Sequence, residues 1–228
     1  MNKIWKILVI SGVILIISAI LLCLYNFHES NEAFEKSQTA LTGLKDIIPD
    51  IPEKSEETYT DYLKKIEEKS KRNVIEEFEE KHKTDTDIAA DTVSEMQSVQ
   101  LDGRYYCGYI TLNTLGLELP VLNNWSYPNL NIAPCRYEGS PQTHDFIIAA
   151  HNYNSHFGQI KNLAEGDEII FTDCNGEKYH YTVTYTEYID GYSVEQMSEN
   201  NNSAWDMTLF TCTLNGQSRV TVRAKLIE

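Results

Sequence analysis

Basic residues are scarce in this chain: its 228 residues hold 19 Lys and Arg against 34 Asp and Glu, a formal net charge of −15. No Lys/Arg run offsets that balance. Duplex binding depends on basic side chains neutralising phosphates, so nucleic acid is set aside as a partner. Cysteine is sparse too, with five residues (Cys23, Cys107, Cys135, Cys174 and Cys212) and no CxxC pair. That spacing removes thioredoxin-like redox chemistry and zinc knuckles. An odd count leaves at least one thiol unpaired, and the spacing of the four beyond Cys23 does not decide whether they pair. His151 and His156 are near neighbours with no Glu between them, so the zinc-protease pattern is missing. Nothing in the pattern calls for a metal or another cofactor.

One long apolar run is present. Lys3 and Lys6 precede the stretch from Ile7 to Tyr25, which only Ser11, Gly12 and Ser18 interrupt. At about 19 residues it is long enough to cross a ~30 Å hydrocarbon core as a helix. A cleaved signal peptide would have a shorter apolar region ending in small residues, whereas this one ends in Leu24-Tyr25-Asn26-Phe27. A retained single-pass membrane anchor is the better reading. The positive-inside rule then puts the N-terminus in the cytoplasm and the rest of the chain outside the cell.

Residues 28–100 are rich in Glu, Lys, Asp and Ser, and hold a single glycine, Gly43. Pro49 and Pro52 break the stretch. Apolar residues such as Tyr62, Ile66, Val74, Ile75 and Phe78 recur sparsely. The pattern predicts a charged helical stalk or linker, a spacer rather than a catalytic element. Its acidic excess argues against lying flat on an anionic membrane.

From Leu101 to Glu228 the texture changes to aromatic and β-branched runs separated by turn pairs. Tyr105–Ile110, Leu117–Leu122, Phe146–Ala150, Glu168–Thr172, Lys178–Tyr188, Met207–Cys212 and Arg219–Ile227 read as strands. Asn175-Gly176 and Asn215-Gly216 are hairpin signals. Many short strands predict a mainly β domain, a closed or nearly closed barrel. Its ~128 residues can bury a real core. Short helices are expected at Phe157–Leu163 and Ser193–Met197. The organisation predicted is therefore 1–27 cytoplasmic tip and anchor, 28–100 stalk, and 101–228 β-barrel domain.

Cys212 alone would read as a core cysteine, because free Cys is among the most buried residue types. The turn after it changes that. With Asn215-Gly216 at the centre of a two-residue hairpin, Leu214 faces Gln217, Thr213 faces Ser218, and Cys212 faces Arg219. Directly opposed residues project from the same side of a sheet. Beyond Arg219, Val220 and Val222 take one face and Thr221 and Arg223 the other. A cation beside a thiol favours the thiolate, the reactive form. His151 follows the apolar run Phe146-Ile147-Ile148-Ala149-Ala150 and opens the polar loop Asn152-Tyr153-Asn154-Ser155-His156. Strand ends that empty into loops are common seats for catalytic groups. His144 and His180 sit in a turn and in a hairpin strand. A thiol needs a base to activate it and an acid to protonate the leaving amine, and one histidine can do both. A fixed guanidinium can steady the oxyanion that forms when an acyl carbonyl is attacked. Cys212, His151 and Arg219 together make a complete acyl-transfer set.

Thr208-Leu209-Phe210-Thr211-Cys212 resembles the Thr-Leu-x-Thr-Cys signature of the sortases. Arg219 follows across a short loop as in that family, and Ala149-Ala150-His151-Asn152 is similar to its histidine segment, with Ala150 where Gly is common. Leu163-Ala164-Glu165-Gly166-Asp167 and Leu119-Pro120-Val121 resemble further family segments. The likeness spans about Tyr105 to Leu226. It implies an eight-stranded β-barrel outside an N-terminal anchor, with His151, Cys212 and Arg219 as catalytic residues. It also implies that Cys212 attacks the Thr–Gly carbonyl of an LPxTG-like sorting signal in a secreted surface protein. The thioacyl enzyme then passes the acyl group to an amine of a cell-wall precursor or a pilin. No Asp-Pro lid of the kind that marks pilus-polymerising members precedes the barrel. Two other readings compete. An L,D-transpeptidase-like wall enzyme also uses His and Cys but carries a Ser-His-Gly-Cys-like segment, and Phe210-Thr211 stand before Cys212 here. Papain-like peptidases place Cys before His. A non-catalytic membrane-tethered binding domain would leave Cys212 structural.

Overall fold

The computed structural model describes residues 3–51, 96–193, 195–198 and 204–227. Among the described residues nine strands form: β1 Val99–Leu101, β2 Arg104–Leu112, β3 Leu117–Leu122, β4 Cys135–Glu138, β5 Phe146–Ala149, β6 Glu168–Asp173, β7 Lys178–Asp190, β8 Met207–Cys212 and β9 Ser218–Leu226. Their order is β2-β3-β4-β5-β8-β9-β7-β6, and β6 pairs back onto β2, which closes a barrel of eight. β1 extends the β6 edge of β2 at its start. All pairings are antiparallel except β3–β4 and β5–β8. The mainly β, closed eight-stranded barrel expected from the sequence is the fold observed. All seven expected strands form, most of them shifted by a residue or two at their ends. β1 and β4 are additional. Of the two expected helical stretches, the first contracts to a 3-10 turn at Ile160–Asn162, and the second forms the single turn α3, Glu195–Ser198.

Closure depends on a glycine. Gly108 in β2 pairs with Asp173 in β6 at φ 147°. A Cβ there would lie 2.0 Å from the Thr172 carbonyl oxygen, so the two strands meet at this distance only because position 108 carries no side chain.

Strand alternation sorts the side chains into two cores. Met207, Leu209, Val220, Val222 and Ala224 point inward with Phe146, Ile148, Ile110, Phe171 and Tyr181, and fill the barrel. Thr208, Phe210, Cys212, Arg219, Thr221 and Arg223 therefore face outward. Part of that outer wall is covered by α3. Arg223, only 1% exposed, donates from Nη1 to the Met197 carbonyl at 2.9 Å and Thr208 Oγ1 at 2.7 Å, and from Nε to Glu187 at 2.9 Å. Its guanidinium lies 4.2 Å from the Trp205 ring centroid. A buried cation is stable only when so fully partnered.

The second core lies outside the barrel, under a helix. α1 runs unbroken from Lys3 to Ile47, 45 residues. Its N-terminal part exposes Ile7 to Leu24 and is, among the described residues, the one helix long and apolar enough to cross a membrane. Its C-terminal part packs on the barrel through Ala33, Ser37, Ala40, Leu41 and Leu44, at the spacing of one helical face. Leu44 and Ile48 join Tyr106, Leu122, Ile132 and Cys135 in the outer cluster. Gln38 Nε2 donates to the Glu118 carbonyl at 3.2 Å, and Lys45 meets the Glu118 carboxylate at 2.5 Å. Ahead of Pro49 the helix stops, because proline restricts the preceding residue and cannot donate to the ladder. Residues 28–47, read from sequence as the start of a solvated spacer, are thus helical and lie against the barrel wall. The contact face begins with Ala33, Ser37 and Ala40, small residues that carry little hydropathy signal yet permit close approach, and ends with Leu41 and Leu44. The remainder of the expected stalk, over 52–95, falls outside the described residues.

Candidate active site

β5 and β8 run parallel, in a register that pairs Ala149 with Phe210. Past the last paired rung the two chains stay together: Ala150 N donates to the Phe210 carbonyl at 3.2 Å, and Thr211 Oγ1 donates to the Ala150 carbonyl at 2.8 Å. Two residues beyond Ala149↔Phe210, that register aligns His151 with Cys212. On the other side of β8, Cys212 pairs with Arg219 of β9. Extended past the end of β5, the β5–β8 register carries His151 out beside the observed Cys212–Arg219 pair, on strands that lie about 4.8 Å apart in a sheet. All three residues are half-buried, on the outer wall of the barrel. Among the described residues, no hydrogen bond joins Cys212 to either partner.

The hairpin that sets Cys212 against Arg219 differs from the expected one. Thr213 N donates to the Ser218 carbonyl at 2.9 Å, and Gly216 N turns back to the Thr213 carbonyl at 2.9 Å. The loop is thus four residues, Leu214 to Gln217, with positive φ at Gly216 alone (72°). A two-residue turn of type I′ needs positive φ at both central residues, and Asn215 instead caps the loop by accepting from Gln217 N at 3.2 Å. Both loops share one centre, so the register, and with it the pairing of Cys212 with Arg219, is the same.

Arg219 is held on the hairpin side. Its Nη1 donates to the carbonyls of Gly216 at 3.0 Å and Ser218 at 3.2 Å. The group lines an open cleft with Gly191, Tyr192, Asn215, Gly216 and Gln217. A Cβ at Gly191 would lie 3.0 Å from that Nη1, so this glycine leaves room for the guanidinium.

His151 Nε2 is 2.9 Å from Asn131 Oδ1, and its ring packs at a tilt of 39° against Tyr153 with centroids 5.0 Å apart. With an amide oxygen as acceptor, Nε2 carries the proton and Nδ1 the lone pair. Burial pushes this imidazole below its ordinary value, and the Glu29 carboxylate on α1 opposes that. The neutral form, able to accept a proton, is favoured at neutral pH. Asn131 and Glu29 are absent from the sequence-predicted set. Asn131 lies at the end of the Asn-rich run 123–131, just past the short helix α2 (Tyr127–Leu130). Nothing local links it to a histidine twenty positions on.

The other thiols differ from Cys212. All five cysteines are free. Cys107 and Cys135 are fully buried. Burial pushes the Cys107 thiol far up, Cys135 up to about 12 and Cys174 up to about 11. His144 contacts Asp206 at 3.2 Å and His180 contacts Glu168 at 3.0 Å, both away from the Cys212–Arg219 pair.

A family model described as the Sortase domain matches residues 110–227. The chain is 28% identical over 142 residues to Sortase A of Bacillus anthracis, a match covering 58% of this chain and 66% of the relative, just under two thirds of its length. Among solved structures, a Clostridium perfringens Sortase D5 transpeptidase is similar at 25% identity and TM-score 0.48, over 54% of this chain and 79% of that one. Sortase C-3 of Streptococcus pneumoniae is similar at 23% identity and TM-score 0.49, over 63% and 74%.

Proposed function

This chain belongs to the sortase family, and from that premise we propose that it is a membrane-anchored cysteine transpeptidase whose reacting groups are Cys212, His151 and Arg219. What supports this reading is the β5–β8 register, which leads His151 out beside the Cys212–Arg219 pair on the outer wall of the barrel. Cys212 is the half-buried thiol of that pair, at a strand end, and the fully buried Cys107 and Cys135 are held as neutral thiols.

In the proposed reaction, the Cys212 sulfur attacks the Thr–Gly carbonyl of an LPxTG-like sorting signal. Arg219 steadies the oxyanion or the neighbouring backbone carbonyls, through the planar fork that an ammonium lacks. His151, protonated as it takes up the thiol proton, gives that proton to the leaving glycine amine. The thioacyl enzyme is then opened by an amine of a cell-wall precursor or a pilin, with His151 accepting the proton. Asn131 fixes the imidazole's orientation, as the third member of such a set does. The apolar part of α1 is the candidate membrane anchor, with the N-terminus cytoplasmic and the barrel outside.

The test is direct. Full-length protein in detergent is incubated with a panel of sorting-signal peptides and examined by intact-mass spectrometry. An acyl adduct on Cys212 that an added amine removes, and that Cys212→Ala abolishes without loss of folding, is the expected result. Peptide cleavage by the Ala variant would overturn the reading.

A further inference from the structure

The loop that carries His151 is tied down from outside the barrel. Ser155 Oγ donates to the Ser30 carbonyl of α1 at 3.2 Å and lies 3.4 Å from Ser30 Oγ. His156, 0% exposed, is sealed against the same helix near Ala33, itself 2% exposed. The carbonyls of Ala33 and Ile132 approach the His156 ring, yet neither meets hydrogen-bond geometry, and both ring nitrogens lack a partner. A buried imidazole without partners costs stability, so its presence there calls for a use. The ring has such a use. His156 packs against Tyr153 at 5.6 Å between centroids, and Tyr153 against His151 at 5.0 Å, each pair of rings tilted. Three rings thus run from α1 to the proposed acid/base. The loop is compact as well: Phe157 N donates to the His151 carbonyl at 3.1 Å, and His156 N to the Tyr153 carbonyl at 2.9 Å. The groups that face His151 are Glu29 from α1, Asn131, and Tyr153 and His156 of its own loop.

We infer that residues 29–33 of α1 are a strap that positions His151: Ser155 ties the loop to the helix, and His156 transmits the packing through Tyr153 to the imidazole. Ser155 and His156 are positioning residues. The inference rests on the transpeptidase reading. It assigns a catalytic task to a helix segment that lies outside the matched domain and immediately follows the apolar span. It also differs from an autoinhibitory lid, because a strap stays in place while the enzyme turns over.

The experiment uses full-length protein in detergent and reads kcat and KM for a sorting-signal peptide with a fixed amine, alongside the alkylation rate of Cys212. His156→Ala leaves a hole beneath the ring stack. Its kcat is expected to fall about tenfold or more, because small misplacements of a reacting group are costly, with peptide KM and Cys212 alkylation near wild type. His156→Phe refills the space and is expected to restore most of the kcat. Wild-type kcat in the Ala variant would overturn the inference, as would a Phe variant as impaired as the Ala one. A second pair, Ser30→Cys with Ser155→Cys, covers the case in which His156→Ala fails to fold. The oxidised, cross-linked protein is expected to keep turning over, and loss of turnover that reduction restores would mean a lid instead. Failure of the wild type to form an acyl adduct on Cys212 would count against the transpeptidase reading itself, and would show before any of these variants is made.

Discussion

Cys212 and Arg219 stand directly opposite each other on the last rung of β8 and β9 before the hairpin loop, and the guanidinium is anchored through one nitrogen to the Gly216 and Ser218 carbonyls. That anchoring leaves the rest of the planar fork to meet a substrate. Arg219→Lys keeps the charge but loses the fork. Its kcat/KM is expected to fall by roughly 100- to 1,000-fold, the scale seen when a preorganised donor is removed. Steady-state kinetics on a sorting-signal peptide would decide it, and a wild-type value would remove Arg219 from the site.

The thiols predict a labelling order. Cys212 is half-buried at a strand end, whereas Cys107 and Cys135 are at 0% exposure and burial holds both thiols protonated. Brief alkylation in native conditions should modify Cys212 ahead of Cys107 and Cys135, which stay untouched until denaturant is added. Peptide mapping reads the order. Simultaneous modification of all three would contradict the burial pattern.

His156 makes stability pH-dependent. Burial lowers its pKa from 6.5 to about 4. Between those values the unfolded chain binds a proton that the folded one refuses, so stability rises with pH across this window and falls as pH drops from about 6.5 toward 4. The lowered pKa of His151 acts in the same direction. The His156 contribution is on the order of 3 kcal/mol. Urea midpoints measured between pH 4 and 7.5 should show this slope, flattened in His156→Phe. An equal slope in that variant would trace the dependence to other groups.

The outer core predicts a cost at α1. Leu44 is 0% exposed in the cluster beneath the helix. Leu44→Ala should destabilise by about 2–5 kcal/mol, measured by chemical denaturation. A protein starting at Leu101, the boundary the sequence suggests, would lose α1 and expose Tyr106, Leu122 and Ile132. One starting near residue 28 keeps the helix that covers them.

Barrel closure predicts a further cost. Gly108→Ala drives a methyl into the Thr172 carbonyl oxygen at a backbone angle that side chains avoid. A loss of ~3 kcal/mol or more is expected, at the high end for single substitutions. Thermal unfolding of the purified variant would test it.

The barrel and the pairing of Cys212 with Arg219 were legible in the sequence because they rest on short-range rules. Strand alternation after Arg219 and a turn centred between Asn215 and Gly216 fixed the β8–β9 register, and even a different loop type left it unchanged. β4 escaped notice because it is four residues long and bulged between Arg136 and Glu138, too short for alternation to register. The length of α1 escaped because the first three positions of its buried face are Ala33, Ser37 and Ala40, and only Leu41 and Leu44 add larger apolar side chains. The bond from His151 to Asn131 and the contact with Ser30 join residues 20 and 125 positions away from their partners. Pairings of that kind arise from packing alone.

Because α1 passes from its apolar stretch into the barrel wall with no break, the proposed row of His151, Cys212 and Arg219 is carried on a stiff post instead of a tether. On the proposed membrane-anchored reading, such a mounting fixes the height and heading of the row above the lipid surface. Polypeptides and amines presented at that level would then be favoured, and those beyond it would have to be brought down to it.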